Sequence, residues 1–277
     1  MKIGIYIFAT DYTIRIDELA RAAEERGFES LFIPEHTHIP ASRRSAWPGG
    51  ADLPREYWHT LDPFVALGVA AAATSTIRLG TGICLLTERD PIVNAKEAAT
   101  LDLLSGGRFE LAIGAGWNAE EMENHGTAFA TRFRVMSERA RAMKVIWAEE
   151  EPEFHGEFVD FDPIWSWPKP IQNPGPPILV GGETDHTLRR VVDWADGWFP
   201  RGRGDFDPAE GMARLARIAD EAGRSMDNIN VSLFGAVPNR DALGRAEDAG
   251  MTRAILALPS NDRDDVMRRL DRHAELL

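Results

Sequence analysis

Apolar runs with the length of buried strands alternate with helix-like segments along the whole chain. The runs contain few polar positions, which is typical of parallel strands buried on both faces. The segments between them repeat apolar residues at helical spacing. The predicted strands cover 2–8, 30–36, 77–86, 109–117, 176–182, 196–200, 228–237 and 253–259. The predicted helices cover 17–27, 61–74, 91–108, 131–148, 187–195, 208–223, 240–250 and 262–275.

Eight strand–helix pairs in 277 residues predict an α/β fold, a (β/α)8 TIM barrel. Such barrels routinely reach ~250 residues as one domain, so we expect residues 1–277 to form a single domain. Two insertions interrupt the pattern, after strand 2 at about 37–60 and before strand 5 at about 149–175. The first follows a strand and is predicted to lie at the carboxyl end of the barrel. The second contains a predicted hairpin and enters from the opposite end, although it is long enough to reach either.

The charge balance excludes several classes of protein. The chain has 31 Lys and Arg against 44 Asp and Glu, a formal net charge of -13. A non-specific nucleic-acid or anionic-membrane binder would need clustered positive charge. No apolar run approaches the ~18 residues of a membrane span, and the first residues lack signal-peptide features. The single cysteine, Cys84, excludes an internal disulfide. We therefore expect a cytoplasmic protein with no nucleic-acid or membrane partner.

In a TIM barrel the candidate chemistry lies where the strands end. His36 follows strand 2 beside Glu35, and its imidazole titrates near neutral pH, which makes it the best candidate for proton transfer. His36 and His38 also have the spacing of some metal-dependent hydrolases. The ends of strands 5 to 8 supply no further ligands, so the sequence favours no metal.

Glycines and aromatic residues mark several other strand ends. Gly181 and Gly182 precede a predicted helix, where free backbone N–H groups can hold a phosphate. Gly82 lies inside strand 3, a position that often marks a bulge or the close approach of a ligand. Trp117 and Trp198 follow strands 4 and 6, where they would either line a flat pocket or pack beneath the loops.

An ordered series of motifs resembles the luciferase-like monooxygenase superfamily, and within it the branch that depends on coenzyme F420. The series is ESLFIPEH, IRLGTGICLL, AKEAATLDLLSGGRFELAIGAGWNAEE, PPILVGG and ADGWFP, and it spans most of the chain. The ending GAGWNAEE is closer to the F420 branch than to the FMN branch. Trp117 stands where the sugar-phosphate dehydrogenases of the family have glutamate, which argues against glucose 6-phosphate as the substrate.

The resemblance implies a role for each matching position. His36 would handle a proton opposite the reactive carbon of the coenzyme ring, with Glu35 as its orienting partner. The Gly82–Ile83 bond would be a non-prolyl cis peptide behind the ring. The residues expected to bind the coenzyme are Thr81, Gly82, Ile83, Gly116, Trp117, Asn118, Glu120, Gly181 and Gly182.

The implied reaction is transfer of a hydride between F420 and a small organic substrate that the sequence does not identify. An FMN-dependent monooxygenase is the first alternative, and a metal-dependent hydrolase is the second. Relatives commonly form homodimers, so we expect one here. Because F420 carries a phosphate and a glutamate tail, an acidic chain must concentrate positive charge near the site. Arg201 and Arg203, or Arg43 and Arg44, are the candidates.

Overall fold

The predicted strands pair in parallel and close into a barrel. The structure is a computed structural model that describes residues 1–50 and 52–277. Eight strands form the barrel: β1 (Lys2–Tyr6), β2 (Ser30–Ile33), β3 (Arg78–Leu85), β4 (Phe109–Gly114), β7 (Ile178–Gly181), β8 (Gly197–Phe199), β9 (Asn230–Phe234) and β10 (Arg253–Ala257). Their order around the cylinder is β1-β10-β9-β8-β7-β4-β3-β2. The predicted (β/α)8 barrel is therefore confirmed.

Helices cover the outside of the barrel. They are α1 (Ile16–Glu25), α2 (Pro63–Ala73), α3 (Pro91–Ser105), α4 (Ala119–Asn124), α5 (Arg132–Ala148), α6 (Asp185–Trp194), α7 (Pro208–Glu221), α8 (Arg240–Asp248) and α9 (Arg263–Ala274). Asp62 caps α2 by accepting from the Val65 N–H, and Gly106 ends α3 in the left-handed region at φ 70°. The short helix α4 was not among the predicted helices.

The two insertions lie at different ends of the molecule. The first, between β2 and α2, carries a short 3-10 helix over Arg55–Trp58 and lies at the carboxyl end of the barrel, the barrel mouth. The second contains the predicted hairpin, β5 (Phe154–His155) and β6 (Asp160–Phe161). Its Gln172 side chain donates to the carbonyl oxygen of Phe109 at the start of β4. The second insertion therefore reaches the amino end of the barrel, away from the mouth.

A buried ion cluster fills the amino end of the barrel. Arg253 donates to Glu110 at 2.7 Å and to Glu29 at 2.7 Å, and Arg78 pairs with the same Glu110. Burial would raise the pKa of Glu110, but the charges of Arg253 and Arg78 outweigh burial and lower that pKa to about 2. The paired charges of this cluster stabilise the amino end of the barrel. The chemistry of TIM barrels lies at the other end, the mouth.

Aromatic side chains fill the barrel between the ion cluster and the mouth. Phe32, Phe199, Phe234 and Tyr6 pack in sequence, with ring centroids 4.0 to 5.3 Å apart. They close the interior beneath the mouth, so a ligand reaches the barrel from that end. In the described part of the chain, no helix is long and apolar enough to cross a membrane.

Candidate active site

His36 lies at the barrel mouth and is held by a buried carboxylate. Its Nδ1 is 2.8 Å from Oε2 of Glu121, and the Glu121 side chain is completely buried. A carboxylate only accepts hydrogen bonds, so this contact requires the proton on Nδ1. Among residues 1–50 and 52–277, Nε2 has no hydrogen-bond partner. The arrangement leaves the second ring nitrogen available to exchange a proton with a ligand.

Glu35 does not orient His36, contrary to the sequence prediction. Its carboxylate accepts from the Leu85 N–H at 2.7 Å and from the Arg89 guanidinium at 2.6 Å. Successive side chains of an extended segment point in opposite directions, so a direct neighbour in sequence faces away. Glu35 therefore ties the segment after β2 to the end of β3, and Glu121 is the partner of the histidine.

Aromatic rings pack around His36, whose side chain is 6% exposed. The ring centroids of Tyr57 and Trp117 lie 5.1 and 5.8 Å from that of His36. Trp47 and Phe8 contact Tyr57 in turn, at 5.7 and 4.7 Å. Tyr57 and Trp47 come from the first insertion, so this loop folds over the mouth and completes an apolar wall. The wall favours a flat, largely apolar ligand surface next to the histidine.

A second buried carboxyl group, Glu88, lies behind Glu121. Burial raises the pKa of Glu88 to about 9, and the charges of Glu121 and Glu35 add to this effect. The raised pKa favours the protonated, neutral form of Glu88. Cys84, also buried, has a pKa raised well above its ordinary value by burial, so its thiol is unreactive.

Gly82 and Ile83 occupy the centre of the barrel below the mouth. The peptide bond between them is cis, as the family resemblance implied. The pairing of β3 with β4 shifts register between Thr81 and Cys84. A Cβ on Gly114 would lie 2.0 Å from the Ile83 side chain, and one on Gly181 would lie 3.6 Å from it. Ile83 thus sits against two of the strand-end glycines and forms the floor of the mouth.

Other predicted ligand residues have structural partners. The Thr81 hydroxyl donates to the carbonyl oxygen of Ala112 inside the sheet. Asn118 is buried and caps α4 by accepting from the Glu121 N–H. Glu120 binds Ser45 of the first insertion through the Ser45 backbone N–H at 2.9 Å and through its hydroxyl. Burial opposes ionisation, but these Ser45 hydrogen bonds lower the pKa of Glu120 to about 2. These three side chains therefore shape the site from behind.

Gly181 and Gly182 lie at the end of β7, and Arg201 and Arg203 follow β8. Gly182 adopts φ 117° just before α6, and its carbonyl oxygen accepts from buried Trp198, which belongs to the core and does not line the mouth. Arg201 is paired with Glu183 at 2.8 Å. Arg203 donates to the Tyr6 hydroxyl at 2.8 Å and has no carboxylate partner in the described part of the chain.

The remaining candidates lie at the rim. Arg44 pairs with Glu120 and Glu123, and Arg43 is exposed with φ 50°. His38 contacts Thr37 and Asn124. Within the described residues, no three His, Cys, Asp or Glu side chains are placed to hold a metal ion. Of the candidate arginines, Arg203 has no carboxylate partner among the described residues and hydrogen-bonds to Tyr6 of β1.

The sequence of this chain is similar to the sequences of known proteins. A family model described as luciferase-like monooxygenase matches residues 4–273. The chain belongs to this family. An uncharacterised protein of Mycobacterium tuberculosis is 40% identical over 282 residues, which cover 100% of this chain and 99% of that protein. The pyrimidine monooxygenase RutA of Yersinia enterocolitica is 30% identical over 201 residues, which cover 69% of this chain and 54% of that protein.

Solved structures share the fold of this luciferase-like protein. The coenzyme F420-dependent tetrahydromethanopterin reductase of Methanopyrus kandleri has a TM-score of 0.75 at 18% identity, with 100% of this chain and 98% of that one covered. Monooxygenase RslO1 of Streptomyces bottropensis has a TM-score of 0.78 at 21% identity and the same coverage. Proteins that share this fold therefore include both an F420-dependent reductase and a monooxygenase.

Three functional candidates of this family member were missed by reading the sequence: Glu121, Glu88 and Tyr57. Asn118 and Glu121 have the spacing of a helix cap and its third residue, which was a signal for α4. Glu88 is the third residue after β3, so its place near a strand end was a signal. Tyr57 lies in an insertion without periodicity, and nothing in the sequence places it beside His36.

Proposed function

We propose that the protein is an oxidoreductase that transfers a hydride between coenzyme F420 and a small organic substrate, and that His36 handles the coupled proton. The observation that carries this proposal is the pairing of His36 with buried Glu121, which leaves Nε2 free at the mouth. When bound, F420 supplies the carbon centre that gives or accepts the hydride. The task of the protein is orientation and proton management.

The residues of the mouth fit such a coenzyme. Trp117 and Tyr57 offer flat apolar surface for a ring, and the N–H groups that begin α6 after Gly182 are suited to a phosphate. Arg203 supplies a cation for the phosphate or the acidic tail. The motif GAGWNAEE after β4 supports F420 over FMN. We propose that Ile83, Trp117, Gly181, Gly182 and Arg203 hold the coenzyme.

His36 would act through its two nitrogens in different ways. Nδ1 keeps its proton and donates it in a hydrogen bond to Glu121. The ring therefore neither rotates nor changes tautomer while Nε2 takes a proton from the substrate or returns one. The aromatic wall excludes water from the same space. Excluding water strengthens the interaction between Glu121 and the imidazolium that forms.

An FMN-dependent monooxygenase is the second candidate. Similarity to the pyrimidine monooxygenase RutA favours it, because RutA is 30% identical whereas the F420-dependent tetrahydromethanopterin reductase is 18% identical. Such an enzyme would use the same His36 at the same mouth with reduced flavin and oxygen.

Titration of the purified protein with F420 and with FMN tests the proposal. We expect F420 to bind at micromolar concentration or below, with a change in its fluorescence, and FMN to bind at least tenfold more weakly. Tight binding of FMN without binding of F420 would overturn the proposal in favour of the second candidate.

Arg203→Ala tests the coenzyme site directly. We expect the Kd for F420 to rise about tenfold, since one charged hydrogen bond contributes about 1.5 kcal/mol. The matched control is Arg21→Ala on the outer face of α1, where the arginine pairs only with Asp17. An equal Kd for F420 in both variants would show that Arg203 does not bind the coenzyme.

A further inference from the structure

We propose that Glu88 is a positioning residue, which as a neutral carboxylic acid donates a hydrogen bond to Glu121 and so holds the Glu121 carboxylate against Nδ1 of His36. Its importance for turnover rests on the proposed function. The positioning itself is a property of the free protein.

Two carboxyl oxygens near His36 are buried and have no partner among the described residues. Oε2 of Glu88 and Oε1 of Glu121 are inaccessible to solvent, and neither has a hydrogen-bond partner in the described part of the chain. Glu88 is only 7% exposed and Glu121 is 0% exposed. A side-chain hydrogen bond between the two carboxyl groups contributes to the raised pKa of Glu88. A single proton between them satisfies both groups, whereas two ionised carboxylates would repel each other in a medium of low polarity.

Among the described residues, Arg89 is the cation that favours ionised Glu88, and its guanidinium is engaged elsewhere. Arg89, its neighbour in sequence, directs its guanidinium to Glu35 at 2.6 Å. Arg139 of α5, on the other side, donates to the carbonyl oxygens of Leu86 and Arg89. The charged groups that face Glu88 are therefore Glu121, Glu35 and Arg89, and the two carboxylates raise its pKa while Arg89 opposes them.

The acid completes a chain of three groups. Glu88 donates to Glu121, and Glu121 accepts from Nδ1 of His36 at 2.8 Å. Because both acceptor oxygens of Glu121 are then engaged, its carboxylate cannot rotate away from the histidine. Deprotonation of Glu88 at high pH removes the donor and adds a negative charge, so the position of Glu121 and the state of His36 should change together.

NMR of the 15N-labelled histidine ring tests the proposal without coenzyme or substrate. In the natural protein we expect the Nδ1–H tautomer of His36 near neutral pH and a change in its ring shifts near pH 9, where Glu88 loses its proton. Glu88→Gln keeps a donor N–H but cannot ionise, so it should retain the tautomer and lose the transition near pH 9. Glu97→Gln, which alters an acid 32% exposed beside Arg89, is the matched control and should keep both.

Two results would overturn the proposal. One is a transition near pH 9 that persists in Glu88→Gln. The other is a wild-type tautomer in a folded Glu88→Leu, which has no donor and should shift part of the population to Nε2–H. If Glu88→Leu does not fold, the Gln variant still decides. Failure of F420 binding leaves these results unaffected, so the two proposals fail separately.

Discussion

The neighbour of His36 in sequence is not its hydrogen-bond partner. Glu35 is covalently adjacent, yet it binds Arg89 and the backbone of β3. Glu121 is separated by 85 positions and lies 2.8 Å from the ring. The barrel brings the segments after different strands to one place, so the partner of His36 comes from the helix that follows β4.

The histidine itself is the first point to test. In His36→Asn we expect kcat to fall about 10²- to 10⁴-fold, the usual contribution of a positioned acid or base. The Kd for the coenzyme should change only a few-fold, since the floor and the glycines remain. Steady-state kinetics and coenzyme titration measure the two effects separately. His155→Asn in the distant hairpin is the control, and an unchanged kcat in His36→Asn would remove the proton-transfer role.

At this scale the sequence predicted which histidine to consider but not what surrounds it. A strand end and a titratable side chain were sufficient to select His36. The position of Tyr57 depends on the path of an irregular insertion. The protonation of Glu88 depends on burial and on the nearness of Glu121, which only the three-dimensional structure shows.

The helix α4 links the loop over the mouth to the histidine. Consecutive helical residues point in directions about 100° apart. Glu120 therefore binds Ser45 of the first insertion, while Glu121 binds His36. Asn118 caps the helix and is buried, so the cap determines where both acids lie.

Removing the cap should disturb both acids. Asn118→Ala is expected to lower the free energy of unfolding by about 1 kcal/mol, and to broaden the His36 ring signals. Asn118→Ser supplies another cap oxygen and should recover most of the loss. Chemical denaturation and histidine NMR measure the two effects. A His36 signal that is unchanged in Asn118→Ala would show that α4 holds Glu121 without its cap.

Most helices and strands could be predicted because their apolar residues recur with a clear period or form a continuous run. The helices begin and end within a few residues of the predicted positions, at Asp62, Pro91 and Gly106 among others. Helix α4 was not predicted because six mostly polar residues show no amphipathic pattern. The course of the second insertion could not be predicted either, since it depends on side-chain contacts such as Gln172 with β4.

The two ends of the barrel carry different groups. The ion cluster of Arg253, Glu110, Arg78 and Glu29 lies at the amino end, and His36 lies at the mouth. Removing one member of a buried pair leaves an uncompensated charge, which typically costs about 3–5 kcal/mol. Mutations in the cluster should therefore act on stability and leave the chemistry of the mouth intact.

The acid stability of the protein tests this cluster. The pKa of Glu110 is about 2 in the folded state against an ordinary 4.5, so its carboxylate stabilises the fold above pH 4.5 and this contribution is lost as the pH falls toward 2. Glu110→Gln should be less stable at neutral pH, and its difference from the natural protein should shrink in that acidic range. Urea denaturation at several pH values measures it, with Glu221→Gln on the surface as control. A pH-independent difference would contradict the argument.

Exposed apolar residues on α2 and α3 bear on assembly. Val65, Val93 and Leu104 are 70%, 56% and 73% exposed, and the two helices pack side by side. We expect a second copy of the chain to cover this face. Light scattering should show a dimer, and the double variant Val65→Glu, Leu104→Glu should be monomeric, whereas Leu277→Glu should not. A natural protein that is monomeric at high micromolar concentration would contradict this prediction.

The attachment of the first insertion to Glu120 has a consequence for laboratory evolution of this scaffold. Ser45 belongs to the first insertion, which covers the mouth. It binds Glu120, and the next residue, Glu121, binds His36. A foreign loop grafted between β2 and α2 to change selectivity would lose that anchor unless it carries a serine at the same place. Libraries that vary the loop while fixing Ser45 should therefore retain far more active clones than libraries that vary it freely.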